Sequence, residues 1–299
     1  MRIELLITNI CFYNRVQSLA QQKISAKFRT VGTAGAEWEE RTMNIRVETQ
    51  EQVAWVTIDR PEKRNAVNLD VHDGLKALWQ RLEADDDIRV IVLTGAGSDS
   101  FCAGADVGTF LPHLKKSIAM GEDPGDFCGI THRPLKKPLV AAINGAALGG
   151  GLELALAADL RIAADHATFG LPEVKLGAIA GAGGVTRLPR MIPEAVARDM
   201  ILTGRPLTAR RAYEVGLVSE VVPLPALRET VSDIARQIVE NSPAAVALSL
   251  SVLHRVDGMA LAEALEIERA AFRTATTTED FAIGTASFAS AKKPAFSGR

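Results

Sequence analysis

Two glutamates stand among apolar neighbours where an acid is costly. Glu153 lies in Leu-Glu-Leu-Ala-Leu-Ala and Glu173 in Phe-Gly-Leu-Pro-Glu-Val. A carboxylate in such company must be paired, hydrogen-bonded or protonated. Arg161 and Lys175 are the partners the sequence offers for an ion pair. The other reading is that the two acids share a site, one ionised as base and the other holding a proton as acid. Two small-residue segments accompany them. Ser100-Phe-Cys-Ala-Gly-Ala-Asp106 follows an apolar run, and Gly149-Gly-Gly-Leu-Glu153 opens a helical stretch. Small side chains leave backbone N–H groups unshielded, and a helix N-terminus favours an anionic oxygen. Each segment alone is explained by turn geometry or close packing. Together they offer two donors for one carbonyl oxygen, the requirement of an oxyanion hole.

Other chemistries find little support. Cys102 adjoins the first segment, but no histidine is near it in sequence and a free cysteine is usually a small core residue. Cys11, Cys102 and Cys128 show no CxxC spacing, which argues against a disulfide framework or a zinc site and for a reducing compartment. His72, His113, His132, His166 and His254 lack HxxxH spacing, so no metal is expected. Neither glycine cluster fits G-x-G-x-x-G, because positions 100 and 186 are Ser100 and Thr186. With 34 Lys+Arg against 36 Asp+Glu the net charge is -2, too weak a field to hold nucleic acid. No run reaches the roughly 18 apolar residues of a membrane span.

The elements that must position these residues alternate. Residues 45–58 predict two strands with a turn at 50–52, and Pro61 then breaks the pattern. Residues 70–84 carry Val71, Leu75, Leu78, Trp79 and Leu82 at helical spacing, with Asn68 or Asp70 as N-cap. Residues 89–94 predict a strand buried on both faces, and strands follow at 139–144, 160–164 and 167–169. Residues 108–137 are expected to hold a helix and a mobile loop, and 152–159 a short apolar helix. Beyond Gly181 the chain turns helical, with Pro193, Thr208 and Ser242 as starts and amphipathic runs at 225–240, 243–256 and 259–275. The alternation points to an α/β fold.

The segments RPEKRNAV (60–67), FCAGADV (101–107), INGAALGGGLELALAADLRIA (143–163), FGLPEVKLG (169–177), GAGGVTRLPR (181–190), GLVSEVV (216–222) and KKPAFSGR (292–299) resemble the enoyl-CoA hydratase/isomerase, or crotonase, family. They occur in family order over residues 45–299. The resemblance implies a crotonase-like spiral of ββα units with a C-terminal helical region that builds trimers, commonly stacked as hexamers. It also implies Ala105 and Gly150 as oxyanion donors to a thioester carbonyl, and Glu153 and Glu173 as the acid and base pair of a hydratase. Lys63, Arg64, Ala66, Ala103, Gly104, Asp106 and Val107 would line the path of the CoA moiety, with Asp106 more a turn residue than a catalytic acid. The implied reaction is reversible addition of water to a trans-2-enoyl-CoA, giving a 3-hydroxyacyl-CoA as in fatty acid β-oxidation. Coenzyme A belongs to the substrate, and no separate cofactor is implied. The alternatives are an isomerase or a specialised acyl-CoA dehydratase of the same family, and a non-catalytic acyl-CoA or RNA-binding scaffold. Residues 178–180, Ala-Ile-Ala, depart from the proline-containing version common in the family and leave the acyl chain length open.

The composition shifts near residue 42. Residues 1–31 hold five basic residues against Glu4, and the chain divides into a non-core extension (1–42), a spiral core (43–240) and a C-terminal helical region (241–299). Met43 would make a natural start, and a chain beginning there is expected to fold. The expected location is cytoplasmic, or the mitochondrial matrix if residues 1–42 act as a transit peptide.

Overall fold

The computed structural model describes residues 27–30, 37–42, 44–122 and 126–298. Cys11, Met43, most of the expected N-terminal extension and the centre of the expected loop at 123–125 lie outside the described residues. The strands are β1 (Lys27–Thr30), β2 (Glu37–Arg41), β3 (Ile45–Gln50), β4 (Val53–Ile58), β5 (Val90–Gly95), β6 (Ser100–Cys102), β7 (Leu139–Ile143), β8 (Ala146–Leu148), β9 (Leu160–Ala164), β10 (Thr168–Gly170), β11 (Leu207–Thr208) and β12 (Glu220–Val222). The helices are α1 (Leu69–Ala84), α2 (Phe110–Ala119), α3 (Gly150–Ala157), α4 (Gly184–Met191), α5 (Glu194–Thr203), α6 (Ala209–Glu214), α7 (Leu224–Val239), α8 (Pro243–Val256), α9 (Leu261–Ala275) and α10 (Glu279–Ser290).

The strands form a larger sheet of order β1-β2-β3-β4-β5-β7-β9-β12 and a smaller one of order β11-β10-β8-β6. Each turn of the chain visits both sheets. β5, β7 and β9 enter the larger sheet, while β6, β8 and β10 follow them into the smaller, with parallel pairing in both. Helices close the turns after β6 and β8, which makes the α/β spiral of ββα units that the resemblance implies.

The central strands are apolar without a break because both faces of the larger sheet are covered. Ala54, Val56 and Ile58 of β4 join Ile91 and Leu93 of β5 in the core that also receives α1 and the smaller sheet. Their neighbours Val53, Trp55, Val90 and Val92 meet Leu227, Val231 and Ala235 of α7 on the opposite face. Each such side chain contributes about 1.5–3 kcal/mol by leaving water. Helix α1 begins where the Asn68 side chain accepts the Val71 N–H at 3.0 Å, and it buries Val71, His72, Leu75, Leu78, Trp79 and Leu82. Thr208 and Ser242 cap α6 and α8 in the same way. Helix α3 starts at Gly150, so Gly150 and Gly151 belong to its first turn and Gly149 forms the corner before it. Among the described residues, no helix is long and apolar enough to cross a membrane.

The larger sheet continues to the N-terminal side of residue 42. β2 pairs antiparallel with β3, and the buried Glu40 carboxylate meets the Arg81 guanidinium of α1 at 2.8 Å. A charge at 4% side-chain exposure needs this partner. Replacing Glu40 by Ala is expected to destabilise the fold by about 1–3 kcal/mol, measured by urea unfolding. A chain beginning at Met43 should lose at least as much and still unfold cooperatively. An unchanged midpoint in both would show that β2 contributes nothing.

Candidate active site

The segment after β6 runs beside Val67. The Val67 N–H donates to the Gly104 carbonyl at 2.8 Å, and the Asp106 N–H donates to the Val67 carbonyl at 2.8 Å. In this parallel bridge the residue between, Ala105, turns its own N–H to the opposite side. Gly150 is the first residue of α3, where no intrahelical acceptor exists for its N–H. Among the backbone bonds of the described residues, neither Ala105 nor Gly150 is a donor. A methyl group added to Gly104, which sits at φ +90°, would lie 3.0 Å from the Gly150 nitrogen. One added to Gly150 would lie 3.5 Å from the Ala105 nitrogen. The two free donors are therefore neighbours, as an oxyanion hole requires.

Glu153 follows Gly150 by one helical turn, on α3. Its residue is 4% exposed, and Oε1 accepts the Ala182 N–H at 2.7 Å and the Gly184 N–H at 2.8 Å. These donors come from the GAGGV segment that opens α4. Arg161 points elsewhere, to the carbonyls of Leu217 and Ala158, so it forms no pair with Glu153. Burial pushes the Glu153 carboxyl above its ordinary range, opposed by the two N–H groups and by Arg187 and His132. Glu173 sits on the short turn Pro172–Leu176. Its Oε1 lies 2.8 Å from where a Cβ on Gly149 would be, and its Oε2 is buried without a hydrogen-bond partner. Burial is again the main cause of a raised pKa, and the charge of Glu153 adds to it. Two carboxyls that both resist ionisation thus flank the first turn of α3.

The entrance is built by the loop before α1. Asn65 is fully buried in a left-handed conformation. Its side chain accepts the Arg60 N–H at 3.0 Å and donates to the carbonyls of Ala96 at 2.9 Å and Ser100 at 2.6 Å. Lys63 and Arg64 are left exposed at the tip. Ala103 donates to the Arg64 carbonyl at 3.0 Å, which ties this loop to the segment after β6, and the Ala66 carbonyl receives the Arg60 guanidinium within the loop. Val107 is exposed at the same rim. The Asp106 carboxylate accepts the Gly108 N–H at 3.0 Å and the Thr109 N–H at 3.2 Å, and meets Arg60 at 3.1 Å. It therefore positions the turn.

Cys102 is completely buried, and burial pushes its thiol up to about 12, which removes it as a nucleophile. Asn144 joins Asn65 as a positioning residue that sequence patterning does not disclose. Its Oδ1 accepts the Gly95 N–H at 3.0 Å and its Nδ2 donates to Gly97 and Ser100 carbonyls at 2.8 and 3.2 Å. The available signal was a polar residue closing an apolar strand before glycine.

The family model described as enoyl-CoA hydratase/isomerase matches residues 48–299. The (E)-benzylidenesuccinyl-CoA hydratase of Thauera aromatica is 40% identical over 256 residues, covering 86% of this chain and 100% of that protein. The short-chain-enoyl-CoA hydratase of Clostridium acetobutylicum is 38% identical over 240 residues, covering 79% and 91%. The solved enoyl-CoA hydratase of Bacillus anthracis superposes with a TM-score of 0.79 at 35% identity, covering 86% and 100%. With the sheet order, the paired free donors and the two raised carboxyls, these likenesses lead to one conclusion: the chain belongs to the enoyl-CoA hydratase/isomerase, or crotonase, family.

Proposed function

We propose that this chain adds water reversibly to trans-2-enoyl-CoA thioesters, giving 3-hydroxyacyl-CoA, in the manner of fatty acid β-oxidation. The observation that carries this reading is the placement of both Glu153 and Glu173 against the turn that offers the free Gly150 N–H. The Ala105 and Gly150 N–H groups would bind the thioester oxygen and stabilise the enolate charge that develops there, at about 2.7–4 kcal/mol per donor. That polarisation makes the β-carbon electrophilic. Glu153, ionised and fixed by two N–H groups, takes a proton from water as its oxygen joins the β-carbon. Glu173, protonated, gives its proton to the α-carbon, which leaves Glu153 protonated and Glu173 ionised, and return of one proton from Glu153 to Glu173 completes the addition of water across the double bond. Dehydration runs the same steps backwards.

The exposed Lys63 and Arg64 suit the phosphates of CoA, and Ala66, Ala103, Gly104 and Val107 border the path between them and the donors. Assembly as a homotrimer or a dimer of trimers is supported by the exposed Leu261 and Phe272 on α9 and Phe288 on α10.

Following loss of the conjugated thioester absorbance of crotonyl-CoA tests the reaction. Glu153→Gln and Glu173→Gln should each lower kcat by about 100- to 10,000-fold with little change in KM. Wild-type rates in both would remove the acid and base roles, and a shift of the double bond without hydration would replace the hydratase by an isomerase.

Both carboxyls hold protons more tightly in the folded state than the ordinary value of 4.5. Their contribution to stability is complete below that value and is lost as pH rises through the folded pKa values. The Glu153→Gln/Glu173→Gln double variant should therefore melt above wild type at about pH 8 and level with it near pH 4. A double variant that melts lower at the higher pH would show that the ionised pair stabilises the fold.

A further inference from the structure

One face of α1 holds a strained turn against the oxyanion donor. The turn Phe127–Gly129 includes Cys128 at φ 54° and Gly129 at φ 79°, and Cys128 is a residue that rarely adopts this conformation. Three residues of α1 at helical spacing pack against that turn, and two of them hydrogen-bond it. His72 Nδ1 accepts the Cys128 N–H at 3.1 Å, and Trp79 Nε1 donates to the Cys128 carbonyl at 2.7 Å. Lys76 lies between them, so close that a Cβ on Gly129 would be 2.8 Å from its Cγ. The Cys128 peptide is thus gripped at both ends by one helix.

The consequence reaches the site through Phe127. Its ring edge stands 2.9 Å from where a Cβ on Gly150 would be, so the ring covers the residue that supplies an oxyanion N–H. Phe127 meets Phe110 of α2 edge-on at 5.5 Å between centroids, and His72 lies 5.2 Å from Phe110 and 6.1 Å from Phe127. For Nδ1 to accept, the ring must be neutral with its proton on Nε2. Burial favours that form over the opposing charges of Asp73 and Asp126, while Lys76 and His113 act in the same direction as burial.

Resting on the hydratase reading, we propose that His72 is a positioning residue, holding the Phe127 ring beside Gly150 so that Phe127 limits the size of the acyl group beside the thioester. His72 touches no reacting atom in this account. Asparagine can place an acceptor where Nδ1 stands, whereas leucine cannot.

Rates for trans-2-butenoyl-CoA and trans-2-octenoyl-CoA should be compared in wild type, His72→Leu, His72→Asn and Phe127→Ala. The proposal expects His72→Leu to raise KM for the four-carbon substrate about tenfold with a smaller change in kcat, and to move the rate ratio toward the eight-carbon substrate. Phe127→Ala should move the ratio the same way, and His72→Asn should restore the wild-type ratio. A His72→Asn variant that behaves as His72→Leu, or a ratio unmoved in Phe127→Ala, overturns it. The nitrogen-15 shifts of the His72 ring give a readout independent of turnover. A proton on Nε2 and a bare, accepting Nδ1 support the contact, and the reverse tautomer or a charged ring at neutral pH overturns it. Failure of wild type to consume either thioester would refute the hydratase reading alone, leaving the nitrogen shifts to judge His72.

Discussion

A methyl group on Gly151 would lie 1.9 Å from the Cys102 carbonyl oxygen, and one on Gly145 2.5 Å from the carbonyl carbon of Asp99. Main chain meets main chain here with no room for a side chain. This contact between the end of β6 and the first turn of α3 brings the Ala105 and Gly150 N–H groups to one place. A backbone donor cannot be swung into position by a rotamer, so its direction is set by packing of whole elements. The ββα spiral supplies that packing, because β6 and β8 lie side by side in the smaller sheet and both end at the site.

The acids depend on the same contact. Glu153 is carried by α3, one turn beyond Gly150, and Glu173 is carried by the turn after β10, the next strand in the smaller sheet. Both lie where burial disfavours charge, yet the two environments differ. Two backbone donors from the start of α4 support a negative Glu153, while the Glu173 carboxyl has its own backbone N–H and leaves Oε2 without a partner. On the proposed reading, that asymmetry distinguishes a base from an acid. The charge of Glu153 adds to the cost of a charge on Glu173.

Much of this was legible in the sequence because it concerned residue types that are costly where they stood. Glutamate within Leu-Glu-Leu-Ala-Leu-Ala and glycines before a helix each require a physical reason. Strand and helix periods placed β4, β5, β7, β9 and α1 to within about two residues, the usual uncertainty of element ends. What stayed hidden depends on distant partners. Asn65 stands in a run of charged residues that looks solvated, and only the folded chain shows its amide bonded to Ala96 and Ser100. The donors for Glu153 come from residues 182 and 184, about thirty positions away, rather than from Arg161 or Lys175. The strand β2 was concealed by the composition change at residue 42, since pairing with β3 draws on backbone bonds that composition does not record. Helix α10 escaped as a Thr-, Ser- and Ala-rich stretch, although Thr278 with Glu279 and Asp280 is a helix start in its own right.

The central claim is that the Ala105 and Gly150 N–H groups converge on a thioester oxygen. It is tested most directly by the carbonyl stretching frequency of a carbon-13-labelled enoyl-CoA bound to the Glu153→Gln/Glu173→Gln variant, in which turnover is blocked. Two hydrogen bonds from fixed donors should weaken the C=O bond and move the band below its position in water. A saturated complex whose band stays at the frequency of the free thioester would contradict the account.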